Sequence, residues 1–157
     1  MKQMAVLGLG RFGASVARSL VQHGVEVMGV DSDPEKVADI APDITHAVQA
    51  DVMDVDALDS LGLRNFDGVI LSIKDVEISC LTTMTLKDRG VRFVVAQAGG
   101  DAHAKILERI GADKVIMPEK DMGARLARSL SSDNLIDYME LSARHNWRRW
   151  MNGLDTP

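Results

Sequence analysis

Three glycines, Gly8, Gly10 and Gly13, follow an apolar run at residues 4–7, and an acidic residue, Asp31, closes a second apolar run eighteen residues beyond the last of them. Strand, glycine turn, helix, strand and acid in that order restrict the chain to a βαβ unit that opens a parallel sheet. The first glycine permits a tight turn, the second lets a phosphate approach with no side chain in the way, and the third lets the helix pack closely on the strand. The helix that starts there offers unpaired N–H groups and a positive dipole end to an anion. A lone glycine triplet would mark only a turn; its flanks make this one a nucleotide-binding motif.

The remaining sequence repeats the unit. Continuous Val/Ile/Ala/Leu runs at residues 25–30, 46–49, 68–72, 93–97 and 114–117 read as strands buried on both faces. Helical patterns fill the gaps at 12–23, 55–61, 78–89, 102–110 and 121–131, with Val16, Leu20 and Val21 on the inner face of the first. A further helix opens at Asp33-Pro34, aspartate as N-cap and proline at the first helical position. Gly24, Gly62, Gly90 and Gly111 end four of the helices. The predicted fold is α/β, a Rossmann-type doubly wound parallel six-stranded sheet with helices on both faces. At 157 residues, 46% of them hydrophobic, one domain is expected: nucleotide-binding over 1–131, with a linker and tail at 132–157.

A net charge of −5 argues against a nucleic-acid partner, which would call for a basic face. Met1-Lys2-Gln3 leads directly into a strand rather than a signal peptide, and no apolar stretch approaches the roughly 20 residues of a membrane span, so a cytoplasmic location is expected. Cys80 lies in a helical pattern with Leu81 and Met84 and reads as a buried thiol rather than a nucleophile. His23, His46, His103 and His145 show no metal-type spacing and read as surface or core residues.

Residues at the carboxyl ends of strands are where this fold places ligand contacts. Asp31 accepts both hydroxyls of an adenosine ribose and repels a 2′-phosphate, or it caps the next turn; no arginine follows in Ser32-Asp33-Pro34, so NAD or an adenine nucleotide is expected rather than NADP. Asp51 either accepts from an adenine amino group, with Val52 packed on the ring, or forms an Asx turn before Asp54. Ser72, Ile73 and Lys74 either meet ribose and phosphate beside the glycine loop or form a solvated loop. Arg11, inside the glycine motif, is suited to the terminal phosphate of ADP or ATP, or else is solvated. Lys36 reads as a surface lysine. A small NAD-dependent oxidoreductase is the competing reading, but no substrate machinery is visible, and the only tyrosine, Tyr138, lacks a lysine four residues on.

The segments Ala5-Val6-Leu7-Gly8-Leu9-Gly10-Arg11-Phe12-Gly13, Thr45-His46-Ala47-Val48, Leu61-Gly62-Leu63-Arg64-Asn65-Phe66-Asp67, Ile110-Gly111-Ala112-Asp113-Lys114-Val115-Ile116 and Pro118-Glu119-Lys120-Asp121-Met122-Gly123 resemble the KTN (RCK, or TrkA-N) domain, in particular the KtrA-type regulatory subunits of bacterial Ktr and Trk potassium uptake systems. The resemblance spans residues 1 to about 142, and the Pro-Glu-Lys-Asp-Met-Gly segment is its most specific part. It implies a non-enzymatic cytoplasmic subunit, a homodimer assembling to an octameric ring, that docks on a membrane-embedded potassium channel or transporter subunit and gates it. In Ktr-type relatives ATP and ADP favour different ring shapes, and NAD or NADH occupies the same pocket.

The resemblance further implies that Gly8, Gly10 and Gly13 line the diphosphate, Asp31 the ribose and Asp51 the adenine edge. Arg11 would reach a terminal phosphate across the dimer interface, and Glu119 would hold a divalent cation, Mg or Ca, beside the γ-phosphate of ATP. Phe12, Ser32, Val52, Ser72, Ile73, Lys74 and Gln97 complete the expected contacts. On the residues alone, Glu119 also reads as a helix-N-terminal carboxylate.

Two departures stand out. Relatives have a basic residue before the Ala-Gln pair of the fifth strand, where this chain has Val95 ahead of Ala96-Gln97. Relatives also continue after Glu140-Leu141-Ser142 into a C-terminal lobe that binds a further small ligand, often a cyclic dinucleotide. Here the sequence turns to Ala143-Arg144-His145-Asn146-Trp147-Arg148-Arg149-Trp150, so the lobe is expected to be missing. The tail reads either as an amphipathic turn carrying Trp147 and Trp150 or as foreign sequence, and residues 134–141 as a linking element.

Overall fold

The computed structural model describes residues 2–132; Tyr138, the linking element and the tryptophan-bearing tail lie outside them. The chain divides into two compact units, Met1–Met117 and Pro118–Pro157. The first contains β1 (Gln3–Leu7), α1 (Arg11–Gln22), β2 (Glu26–Asp31), α2 (Pro34–Ile40), β3 (His46–Gln49), α3 (Val55–Ser60), β4 (Gly68–Leu71), α4 (Val76–Asp88), β5 (Val94–Gln97), α5 (Asp101–Arg109) and β6 (Lys114–Ile116). Of the second, α6 (Pro118–Ser131) is described.

The six strands form one parallel sheet in the order β3-β2-β1-β4-β5-β6. The order reverses at β1, between β2 and β4, which opens a crevice beyond the carboxyl ends of β1 and β4. Successive strand side chains point to opposite faces, and β1 shows this directly. Ala5 and Leu7 join the core under α3, α4 and α5 with Leu58, Leu86 and Leu107. Val6 joins the core under α1 and α2 with Ala17 and Ile40. Val16, Leu20 and Val21 are half-buried against that second core, the inner face that the sequence predicts.

The predicted stop glycines adopt the left-handed conformation that terminates helices, for example Gly24 at φ +81° and Gly90 at φ +81°. Two short 3-10 turns, Ala41–Asp43 and Leu63–Asn65, lie outside the sequence expectation. Several motif residues serve the frame. Asp113 Oδ2 accepts from the Val94 backbone N–H at 2.7 Å and from Lys87 Nζ at 2.8 Å, which fixes the start of β5. Asp67 Oδ2 accepts from the Gln3 N–H at 2.8 Å, and Thr45 Oγ1 from the Val27 N–H at 3.0 Å.

Helix α4 departs from the expected polarity. Ser79, Thr82 and Thr83 are buried on its inner side, while Val76, Leu81 and Met84 are 46%, 41% and 45% exposed. Cys80 is therefore half-buried rather than buried, and partial desolvation pushes its thiol up from its ordinary value, away from nucleophilic thiolate. Two of the three inner hydroxyls have partners, and Thr82 Oγ1 is buried without one among the described residues. Thr83 Oγ1 donates to the Ser79 carbonyl at 2.9 Å, and Ser79 Oγ lies 3.0 Å from His103 Nε2 on α5.

His103 is 4% exposed and its Nδ1 accepts from the Gly99 N–H at 3.0 Å, so the proton of the neutral ring sits on Nε2, directed at Ser79. Burial holds its pKa below the ordinary 6.5. In the window below 6.5 the unfolded chain binds more protons than the folded one, so this contribution to stability is full above pH 6.5 and is lost as pH falls through the folded value. Urea melts at pH 7.5 and 5.5 check this: the wild type is expected to lose more stability between the two than His103→Gln, which has no group to protonate there.

Candidate functional site

The glycine loop joins β1 to α1, and each glycine meets a different constraint. Gly8 has φ +97°, and a Cβ there would sit 2.1 Å from the Ser72 carbonyl oxygen. Its N–H donates to the Val30 carbonyl at 2.8 Å, tying the loop to the end of β2. A Cβ on Gly13 would lie 1.9 Å from the Gly8 carbonyl oxygen, so only glycine lets α1 press this closely on the turn. Around Gly10 nothing lies within 4 Å of the position a Cβ would take.

The open space at Gly10 stands before the amino end of α1. Helices α2, α3 and α4 are capped by the carboxylates of Asp33, Asp54 and Asp75. Helix α1 instead has Gly10 as N-cap, no side-chain cap and no acidic residue in its first turn. Its orphan N–H groups and positive dipole end therefore face the empty space, the arrangement that binds anions. Arg11 lies exposed at this end and Phe12 is half-buried.

Asp31, the last residue of β2, holds the neighbouring backbone with both carboxylate oxygens. Oδ2 accepts from the Leu9 N–H at 2.8 Å and Oδ1 from the Asp33 N–H at 2.9 Å. It thus locks the glycine loop and turns the chain into α2, and each oxygen keeps a lone pair for a further donor. Asp51 forms the Asx turn, accepting from the Met53 N–H at 2.9 Å through Oδ1.

Gly8, Asp31, Ser32, Asp51, Val52 and Ile73 line a single cleft of about 150 Å³ at the carboxyl edge. Val30, Ala50 and Ile78 complete it, and sequence reasoning missed all three. Ile78 had an available signal: Asp75 is the N-cap of α4 and accepts from the Ile78 N–H at 2.9 Å, which turns the first turn of the helix toward the cleft. Ser72 Oγ donates to Gln97 Oε1 at 2.7 Å, linking the ends of β4 and β5 and leaving the hydroxyl oxygen as an acceptor only. Lys74 is exposed in the following loop. Glu119 is in the first turn of α6, in the second unit. Among the described residues, no three His, Cys, Asp or Glu side chains converge in a way that could hold a metal ion.

A parallel sheet whose order reverses at β1, a glycine turn at that point and a carboxylate ending the next strand define a Rossmann-type domain. The chain belongs to the TrkA-N domain family, whose profile matches residues 4–118. It is 47% identical over 146 residues to Ktr system potassium uptake protein C of Bacillus subtilis (strain 168), and 45% identical over 146 residues to Ktr system potassium uptake protein A of the same organism. Each alignment covers 92% of this chain and 66% of the relative, so the chain spans slightly less than two thirds of those proteins. The fold also matches GsuK. Its ADP-bound structure gives a TM-score of 0.73 at 13% identity, covering 85% of this chain and 35% of that one. The NAD-bound GsuK channel gives 0.71 at 14% identity, covering 80% and 23%.

Proposed function

We propose that this chain is the nucleotide-binding part of a cytoplasmic regulatory subunit that gates a membrane-embedded potassium channel or transporter subunit, with no chemistry on its ligand. The observation that carries the reading is the empty space at Gly10 before an uncapped α1, opening beside a cleft closed by Asp31. Relatives named as potassium uptake proteins supply the biological setting, and GsuK, bound to NAD or ADP, supplies precedent for this fold with a nucleotide. Among the described residues no helix is long and apolar enough to cross a membrane, which suits a subunit that works through a membrane partner.

In this reading the diphosphate of ATP, ADP or NAD(H) rests on Gly8, Gly10 and Gly13 and the free N–H groups of α1. The ribose hydroxyls donate to Asp31, with Ser32 beside them. Adenine lies against Val52 and Ile73, joined by Ala50 and Ile78, and its amino group donates to Asp51. Phe12, Ser72, Lys74 and Gln97 border the phosphates, and Glu119 serves a Mg or Ca ion that accompanies ATP. Arg11 reads the terminal phosphate across a homodimer, which assembles further into an octameric ring. The exposed apolar side of α4, with Val76, Leu81 and Met84, supports self-association. An extra phosphate bridging two subunits then stabilises one dimer geometry over another, converting the ligand's identity into motion.

Arg11→Ala tests this reading, because Arg11 is exposed and its loss leaves the fold intact. Calorimetry is expected to show ATP affinity reduced about tenfold or more and ADP affinity reduced by less than about threefold. Equal losses for both nucleotides, or none, would contradict the role given to Arg11. Oxidation of NADH by the wild-type chain with any acceptor would contradict the regulatory reading itself.

A further inference from the structure

The carboxyl edge of the sheet continues past the glycine loop, and its next two strand ends carry a polar pair on the side that α1 covers. Ile70 on β4 and Val95 on β5 pack with Val6 and Ala17 in the core under α1. Side chains alternate along a strand, so Ser72 and Gln97, two residues further on, lie on that same side. Ser72 is close to the helix: a Cβ added at Gly13 would meet its Cβ at 3.2 Å. Gln97 is 8% exposed. Its Oε1 is fixed by the Ser72 hydroxyl at 2.7 Å, while its Nε2 donates to no group among the described residues. Among those residues Thr82 Oγ1 is the one fully buried side-chain nitrogen or oxygen without a partner, so Gln97 Nε2 keeps contact with solvent.

The pair thus offers a ligand one acceptor, Ser72 Oγ, beside one donor, Gln97 Nε2. A sugar hydroxyl, which donates and accepts at once, satisfies both. A phosphate oxygen only accepts, and it would meet the Ser72 lone pairs with no proton between them. No cation on β5 offsets that preference, since the strand reads Val94-Val95-Ala96-Gln97, and Lys74 is exposed in the loop after β4. The loop that follows β5 leaves room: nothing lies within 4 Å of the Cβ position at Gly100. The same loop is held in place, because the Gly99 N–H donates to His103 Nδ1 at 3.0 Å.

We propose that Ser72 and Gln97 together bind the second nucleoside of a dinucleotide, and so give NAD(H) affinity that ADP does not gain. The inference rests on the placement of adenosine at Asp31 and of the diphosphate at Gly10 proposed above. Strand order then carries the ligand onward. Asp31 ends β2, the glycine loop follows β1, Ser72 follows β4 and Gln97 ends β5, roughly 14 Å from Asp31 at three strand spacings. ADP stops at the diphosphate, short of the pair. The second ribose of a dinucleotide lies beyond it, where a hydroxyl donates to Ser72 Oγ and accepts from Gln97 Nε2.

Calorimetric titration of the full chain with NAD and with ADP, beside Gln97→Met and Gln97→Glu, tests the pair. Gln97→Met fills a similar space without a donor, and Gln97→Glu keeps the acceptor that Ser72 uses while losing the donor. Each is expected to weaken NAD binding about fivefold or more beyond any loss of ADP binding. An arm that needs no variant to fold is NMR of the isotope-labelled wild-type chain. The Gln97 side-chain amide signals are expected to shift saturably with NAD and much less with ADP. Equal losses for NAD and ADP in the variants, equal amide shifts with both ligands, or binding of ADP without NAD would overturn the inference and leave the nucleotide-binding reading standing. A folded wild-type chain that binds neither ligand would overturn both.

Discussion

Gly13→Ala is expected to cost about 3 kcal/mol or more of folding stability, at the upper end of the overpacking range. The added Cβ would lie 1.9 Å from the Gly8 carbonyl oxygen and 3.2 Å from Ser72 Cβ. The first obstacle is backbone, so no change of rotamer removes it, and either α1 must lift from β1 or the glycine turn must open. A loss of that size is a large fraction of a single domain's total stability. Gly10→Ala separates stability from binding, because nothing lies within 4 Å of that Cβ position. It is expected to change stability by no more than about 1 kcal/mol, the scale of an N-cap exchange, while lowering nucleotide affinity about tenfold or more by filling the place proposed for the phosphate. Urea melts of the two variants check the first expectation. A cost below about 1 kcal/mol for Gly13→Ala would show that the packing of α1 is looser than the distances require.

Asp31→Ala is expected to be harmful in both respects. It leaves the Leu9 and Asp33 N–H groups without the acceptors they have at 2.8 and 2.9 Å, a loss of about 2 kcal/mol for partly buried bonds to a charged group. In the proposed site it also removes the acceptor for the ribose hydroxyls and the charge that repels a 2′-phosphate. NAD binding is therefore expected to fall about tenfold or more, and the preference for NAD over NADP to shrink by a similar factor. Asp31→Asn, which keeps one oxygen acceptor, is expected to retain more stability than Asp31→Ala and still lose discrimination against NADP. Denaturation and competitive binding of NAD and NADP measure both effects. An Asp31→Ala chain with unchanged nucleotide preference would remove Asp31 from the binding account and leave it a loop clamp.

The sheet was legible in the sequence because its strands are buried on both faces and read as unbroken apolar runs bounded by turn residues. The glycine loop and Asp31 were legible for a stricter reason: Gly8 and Gly13 meet backbone oxygens at distances no other residue tolerates. Helix starts were less so. Helix α4 begins at Val76, two residues before its expected start at 78, because Asp75 caps it, a signal hidden among polar neighbours. Likewise α6 begins at Pro118, with Glu119 and Asp121 in its first turn, rather than at residue 121. The polarity of α4 could not be read from hydrophobic spacing, since Ser79 is buried to meet His103, which lies twenty-four residues away in sequence. Ala50 and Val30 escaped as cleft residues for a similar reason. Small apolar positions at strand ends look like core until the topology shows which edge they border.

The central claim, an adenine nucleotide bound across the Gly10 opening and the Asp31 cleft, is tested most directly by calorimetric titration of the chain and of Gly10→Ala. ATP, ADP, NAD and NADH should each be titrated with and without Mg. At least one is expected to bind the wild type at about one per chain, with affinity about tenfold or more lower in Gly10→Ala at nearly unchanged stability. A folded wild-type chain that binds none of the four, or a Gly10→Ala chain that binds as tightly as the wild type, would contradict it.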